Sequence, residues 1–265
     1  MSQLASSAPP SLGVNGLRIT AGDNVLVPGL SLTIGRGEIL GMVGASGSGK
    51  TISAFSLARL LPEALTQTGE ISLEGERIDL LSEAQMRQVR GGRIGMVFQD
   101  PLSSFNPLRT VGSILVESIC RHQGLPARQA RELAIETLAT MRLPGRDASV
   151  DAYPHMLSGG QRQRAMIGLA LVNQPALIIA DEPTTALDPT VQLQILALLR
   201  HQASSAACLF ITHDIGAASA ICDRLAVMNE GVIVEEGPTD QLLSSPVHPF
   251  TRELLSHAPG GARFR

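Results

Sequence analysis

Tryptophan is absent, tyrosine occurs once, at Tyr153, and with six phenylalanines the aromatics make up only 3% of the 265 residues. Stacking platforms for single-stranded nucleic acid need several aromatic faces, so that class of function is disfavoured. A charge of one sign is missing too. Twenty-one Lys and Arg against 24 Asp and Glu leave a net charge of −3, which creates no field that draws in nucleic acid or anionic lipid. No stretch reaches the roughly 18 apolar residues read as a spanning helix, so any membrane part must come from another chain. The three cysteines, Cys120, Cys208 and Cys222, lie far apart and match no metal-ligand spacing. An odd, patternless set fits a reducing compartment, and Cys208, beside an apolar run, is expected as a small core residue. The first ten residues lack the basic region and apolar core of a signal peptide. What is present is 44% hydrophobic and 17% charged. That composition is globular, with length enough for one large domain or a domain with a subdomain.

Within this composition one stretch carries chemistry on its face. Residues Gly44, Ala45, Ser46, Gly47, Ser48, Gly49, Lys50 and Thr51 fit G-x-x-x-x-G-K-[ST], the Walker A phosphate loop. An apolar run at 38–43 reads as a strand leading in, and 51–61 as a helix leading out. Gly44, Gly47 and Gly49 allow the backbone to turn its N–H groups inward. Those donors and the positive helix end make an anion site. Lys50 reaches β- and γ-phosphates, and the Thr51 hydroxyl can ligate Mg²⁺. The bland alternative is a flexible Gly/Ser turn; the strand before and the helix after argue against it.

Along the chain, short strands are expected at 17–19, 30–34, 68–75, 93–98, 176–180, 208–212, 225–228 and 232–234. Helices are expected at 82–89, 111–121, 127–141, 157–171 and 190–199. Residues 1–14 read as a loose leader, 15–258 as one domain with a mostly helical insert at about 101–172, and 259–265 as a tail. Strands alternating with helices mean an α/β fold with a mainly parallel sheet, whose ligands collect at the carboxyl ends of the strands. Walker A, Gln99, the pair Asp181 and Glu182, and His213 all fall at such ends.

Each of these has a bland and a functional reading. Asp181 and Glu182 follow an apolar run; they either open a turn before Pro183 or supply a Mg²⁺ carboxylate and a group that orients attacking water. Gln99 is either an exposed strand end or a contact to Mg²⁺ or water. His213 is an ordinary histidine or a hydrogen-bond donor to a γ-phosphate. Ser158, Gly159, Gly160 and Gln161 form either a capped helix start or a second anion-binding helix end serving a nucleotide held by another subunit. Asp188 could simply cap the helix that begins near Pro189.

Taken together these residues resemble the nucleotide-binding subunit of an ATP-binding cassette (ABC) transporter. Walker A at 44–51, a Q-loop Gln99, the signature Leu157-Ser-Gly-Gly-Gln161, Walker B with Glu182, a D-loop Asp188 and a switch His213 stand in the family order. The resemblance spans roughly residues 15–257. It is narrower still at Phe98-Gln-Asp-Pro-Leu-Ser-Ser-Phe-Asn-Pro107, Tyr153-Pro-His155, Ala180-Asp-Glu-Pro-Thr-Thr-Ala-Leu-Asp188 and His248-Pro-Phe-Thr-Arg-Glu-Leu-Leu255. These segments are similar to the dipeptide, oligopeptide and nickel importer group, and the Ala-Asp-Glu-Pro-Thr-Thr form to the first of its two ATPase subunits.

The resemblance implies a P-loop ATPase core with an antiparallel β subdomain and a helical subdomain. It implies ATP and Mg²⁺ as cofactors, with Thr51, Gln99 and Asp181 toward the metal and Glu182, His213, Gln99 and Lys50 as the catalytic set. Gly44 to Thr51, Ser158 to Gln161 and Asp188 would bind nucleotide. The implied partners are two transmembrane permease subunits, a sister ATP-binding subunit (a heterodimer, with a homodimer possible) and an extracytoplasmic substrate-binding protein, with no nucleic acid. The implied location is peripheral, on the cytoplasmic face of the inner membrane. Two departures stand out. Ala21 occupies the place where the family stacks an aromatic on adenine, and no aromatic precedes Phe55. No cysteine follows Cys222, which argues against the iron–sulfur centre suggested by the cysteine cluster of many peptide-importing relatives. The competing reading is a soluble ABC-type ATPase acting on nucleic acid or ribosomes, and a regulatory nucleotide switch without turnover is a second rival.

Overall fold

Continuous apolar strands mark the centre of the molecule. In the computed structural model, which describes residues 10–143, 148–185 and 187–257, every residue of β3 (Ile39–Val43), β7 (Leu177–Asp181) and β8 (Ala207–Thr212) is buried. Strands covered on both faces read as unbroken hydrophobic runs. With β6 (Ile94–Val97), β9 (Arg224–Asn229) and β10 (Val232–Pro238) they form a six-stranded sheet in the order β10-β9-β3-β8-β7-β6. All neighbours are parallel except β10, which returns antiparallel along β9. The strict two-residue alternation divides the strands between two cores. Leu177, Ile179, Leu209 and Ile211 face one layer, while Ile178, Ala180, Cys208 and Phe210 face the other. Cys208 is fully buried, as expected, and burial pushes its thiol up to about 12.

The first layer is a second, wholly antiparallel sheet in the order β2-β1-β4-β5, from β1 (Leu12–Ala21), β2 (Asn24–Ile34), β4 (Thr66–Leu73) and β5 (Glu76–Arg77). Leu12, Leu17, Ile19, Val27 and Ile71 point inward from it. Here the expected boundaries move. β1 begins at Leu12, inside the stretch expected as a loose leader, because Leu12 and Val14 are core residues paired to Ile34 and Leu32. Residues 1–9 and the expected tail at 259–265 lie outside the described residues.

The second layer is helical. Between β6 and β7 come α3 (Pro101–Ser104), α4 (Val111–Gln123), α5 (Ala127–Thr140), α6 (Ala148–Asp151) and α7 (Gly159–Leu171). α8 (Pro189–Gln202) and α9 (Ile215–Ile221) follow β7 and β8. The other helices are α1 (Lys50–Leu57), packed between the two sheets, and α2 (Glu83–Val89), which starts on a Ser82–Gln85 capping box. The described residues end with α10 (Thr239–Ser244) and α11 (Pro249–Ser256). Among the described residues no helix is long and apolar enough to cross a membrane.

The helix expected at 51–61 stops at Leu57. Arg59 takes a left-handed φ of 52°, and the Arg90 guanidinium accounts for the carbonyls left over, donating from Nε to Ala58 O (2.7 Å) and from Nη2 to Arg59 O (3.2 Å). A cation at a helix C-terminus also meets the negative end of the dipole. The motif at 248–255 closes the chain onto β10. The Glu235 carboxylate accepts from Val247 N (2.8 Å) and His248 N (2.9 Å), and His248 caps α11.

One arginine ties the two sheets together. Arg224, at the start of β9, pairs with Glu38 and Glu236 and donates to Thr33 O of β2 at 2.6 Å. Its side chain is only 24% exposed, so its partners would be left half-buried without it. Arg224→Ala is expected to cost about 2 kcal/mol and lower the melting temperature by roughly 5 °C, read by calorimetry. A change within experimental error would mean that the sheets hold together through apolar contact alone.

Candidate functional site

Four adjacent strands end in a row. Val43 of β3 is level with Thr212 of β8, Asp181 of β7 with Ile211 of β8, and Val97 of β6 with Ala180 of β7. The residues that leave the sheet there are Gly44, His213, Glu182 and, after Phe98, Gln99. Parallel strands therefore deliver all four sequence motifs to one edge.

The loop after β3 is shaped for an anion. Gly44, Gly47 and Gly49 all have positive φ, at 155°, 79° and 100°. At Gly44 glycine is compulsory, since a Cβ would sit 2.1 Å from Met228 O. Gly49 caps α1 without a side chain and the first turn holds no acidic residue, so the helix N–H groups are left to a ligand. Lys50 is buried against the loop, donating from Nζ to Gly44 O (2.9 Å), Ala45 O (2.7 Å) and Ser48 Oγ (3.3 Å). Burial lowers its pKa, and the charges of Glu182 and Asp181 work against that shift.

Across from the loop, Thr51 Oγ1 donates to Asp181 Oδ1 at 3.1 Å. Asp181 is 2% exposed. Its pKa is raised by burial first; the Thr51 hydrogen bond opposes this, the Glu182 charge adds to it, and Lys50 opposes it. The Thr51 hydroxyl and a buried carboxylate beside a phosphate loop are hard oxygen donors and fit a small divalent cation. Among the described residues no group of three or more His, Cys, Asp or Glu forms a protein cage.

Glu182 is held from several sides. Its backbone has φ 49°, its N–H donates to Ile211 O, and its side chain is 12% exposed. Oε1 accepts from His213 N at 3.1 Å and lies 2.7 Å from His213 Nδ1, while Oε2 accepts from the Thr185 hydroxyl at 2.8 Å. On the far side of His213, the Asp214 carboxylate caps α9 and accepts from Gln192 of α8 at 3.1 Å. Thr185 and Gln192 were not singled out from the sequence. A hydroxyl three residues after Glu182, just past a proline turn, was the available signal for the first.

The remaining residues separate from this cluster. Gln99 is exposed and, among the described residues, makes no side-chain hydrogen bond; Phe98 before it packs edge-on against Phe55 of α1, centroids 6.0 Å apart. Ser158 and Gln161 form a reciprocal capping box on α7, with Ser158 N to Gln161 Oε1 at 2.9 Å and Gln161 N to Ser158 Oγ at 3.4 Å. Gly160 lets that helix start approach α8, since a Cβ there would meet Val191 at 2.9 Å. Among the described residues no hydrogen bond joins this segment to the phosphate loop, Asp181, Glu182 or His213. Asp188 caps α8, accepting from Thr190 N and Val191 N. Ala21 closes the β1–β2 turn opposite Asn24 and brings no ring with it.

Comparison with known proteins shows the family. Residues 27–185 match the ABC transporter family. A probable D,D-dipeptide transport ATP-binding protein, DdpD of Escherichia coli K12, is 47% identical over 242 residues, covering 90% of this chain and 74% of the relative. The glutathione import ATP-binding protein GsiA of Salmonella typhimurium is 45% identical over 94% of this chain but only 42% of its own length. Among solved structures, a dimeric ATP-binding cassette in a post-hydrolysis state with ADP and Pi superposes with a TM-score of 0.74 at 27% identity, covering 86% of this chain and 98% of that one. CbiO1 of Clostridium perfringens, part of the CbiONQ transporter complex, gives 0.75 at 27% identity, over 89% and 92%. With the phosphate loop, the buried carboxylates and the signature in family order, the chain belongs to the ABC transporter family, as one of its ATPase cassettes.

Proposed function

We propose that this chain powers the uptake of short peptides through a membrane permease, as one half of a nucleotide-binding pair. The observation that carries the pairing is a division within the chain. The phosphate loop, Asp181, Glu182 and His213 lie at one sheet edge and largely contact one another, whereas the 157–161 segment makes no hydrogen bond to them. Such a chain offers one complete half-site and the start of another. ATP held by one subunit would be closed over by Ser158, Gly159, Gly160 and Gln161 of the other, so the site completes itself only on closure.

Within the half-site, Lys50 exchanges loop carbonyls for phosphate oxygens, and the open N–H groups of α1 take the rest of the charge. Thr51 and Asp181 would hold Mg²⁺, with Gln99 approaching from the end of β6 on nucleotide binding; when bound, the ion neutralises the charge of the phosphates. Glu182 orients the attacking water, and His213 contacts the γ-phosphate. The Phe55–Phe98 contact joins α1 to the residue before Gln99. It gives nucleotide-driven movement a mechanical route to a cleft of about 370 Å³ lined by Leu60, Met96, Phe98, Ile114 and Leu169, where a permease helix would dock.

Import and the peptide cargo rest on the names of the relatives. Those names favour peptides over nickel chelates and importers over cassettes that act on nucleic acid or ribosomes. The partners proposed are two permease subunits, a sister ATPase and an extracytoplasmic binding protein, with this chain peripheral on the cytoplasmic face of the membrane. Tagged Glu182→Gln protein recovered from membranes in mild detergent with ATP should bring down two polytopic proteins and a second cassette. The associated binding protein should then take up short peptides in a titration. Recovery of ribosomes or nucleic acid would overturn the importer reading, and a binding protein selective for nickel chelates would overturn the cargo.

A further inference from the structure

We infer that Thr185 is the positioning residue that sets the Glu182 carboxylate for hydrolysis, an inference that rests on the role proposed for Glu182. The contacts on Glu182 are of two kinds. Those on Oε1 come from His213, just past the end of β8, through its backbone N–H and through a ring 59% exposed. The contact on Oε2 comes from Thr185 Oγ1, within the same turn as Glu182, which Thr185 N closes by donating to Glu182 O at 3.2 Å. When the His213 ring turns toward a phosphate, Oε1 loses the ring and keeps only the His213 backbone N–H at 3.1 Å. The Thr185 hydroxyl stays, because donor and acceptor belong to one rigid turn.

That difference decides which oxygen meets the water. A carboxylate held only by that one N–H can swing about it. Held at Oε2, it presents Oε1 in a fixed direction, toward the side where His213 stood. Thr185 touches neither nucleotide nor water in this arrangement; it acts through Glu182. A hydrogen bond to a charged group is worth more than one between neutral groups. Its loss therefore appears in the rate of the chemical step and not in nucleotide affinity.

The test compares Thr185→Val, Thr185→Ser and Glu182→Gln in the full-length protein, with steady-state ATP hydrolysis, nucleotide affinity and melting temperature measured for each. Valine keeps the shape and removes the donor, and serine keeps the donor. Thr185→Val should lower kcat roughly tenfold while affinity and melting temperature stay at parental values, and Thr185→Ser should restore most of the rate. If Glu182→Gln is inactive and Thr185→Val turns over at the parental rate, the assignment of Thr185 fails and that of Glu182 stands. If Glu182→Gln itself hydrolyses ATP normally, the role of Glu182 fails and takes the inference with it. A Thr185→Val protein that loses affinity and melting temperature together with rate has lost structure, which also overturns the inference.

Discussion

Glu182→Gln should reduce ATP hydrolysis by on the order of a thousandfold while leaving ATP binding intact. The change is nearly isosteric and keeps the left-handed turn at φ 49° that aims the side chain. What it removes is a negative charge and one of two acceptor oxygens. In the parent one oxygen faces His213 and the other the Thr185 hydroxyl. Glutamine has a single oxygen for both sides and cannot draw a proton from water. Binding depends on other groups: the open N–H donors of α1, the glycine backbone and Lys50. Removing a negative charge from the neighbourhood of the phosphates does not weaken their attraction to the loop. Phosphate release gives the rate, and titration with a fluorescent ATP analogue gives the affinity. Turnover at the parental rate would remove Glu182 from the mechanism.

Lys50→Ala should do the reverse, weakening ATP binding by about a hundredfold, through the loss of charge-assisted contacts to two phosphates. Lys50 is 7% exposed, and all three donors are used on Gly44 O, Ala45 O and Ser48 Oγ. Burial disfavours its charge, and the charges of Glu182 and Asp181 partly restore it. A phosphate group supplies the stronger counter-charge that this buried ammonium lacks. Of the residues whose carbonyls are released, Ala45 is exposed, so water can replace the ammonium there. Calorimetric titration in the presence of Mg²⁺ measures the loss. An affinity unchanged by the substitution would mean that the backbone donors alone hold the nucleotide.

The phosphate loop was legible because its chemistry is local. Three glycines, a lysine and a threonine at fixed offsets dictate a positive-φ turn into a helix whatever surrounds them, and the backbone has that form. The buried strands β3, β7 and β8 were legible for a related reason, since unbroken apolar runs between turn residues have few other uses. Boundaries were less legible. β1 starts at Leu12 and α1 stops at Leu57 because of pairing with β2 and of a guanidinium from α2's end, both invisible in a window of ten residues. The roles of Ser158 and Asp188 stay double in the single chain. Each caps its own helix, which is the bland reading; at α7 the cap bond goes to Gln161 N, and the N–H groups of Gly159 and Gly160 beside it are what an anion from a second subunit would use.

By itself the sequence determined the fold class, the phosphate loop and the order of motifs along the chain, because each rests on residue type at short spacing. The tertiary structure alone decided which motifs meet. Parallel pairing in the order β3-β8-β7-β6 carries residues more than a hundred positions apart to one edge. There Thr51 reaches Asp181 and His213 reaches Glu182. It also decided that Thr185 turns its hydroxyl back onto Glu182, since a turn that puts φ at 49° on the glutamate is set by the strand beside it, where Glu182 N donates to Ile211 O. Strand register is a long-range property, fixed by the burial of alternate faces against two different layers, and no short stretch of the chain contains it.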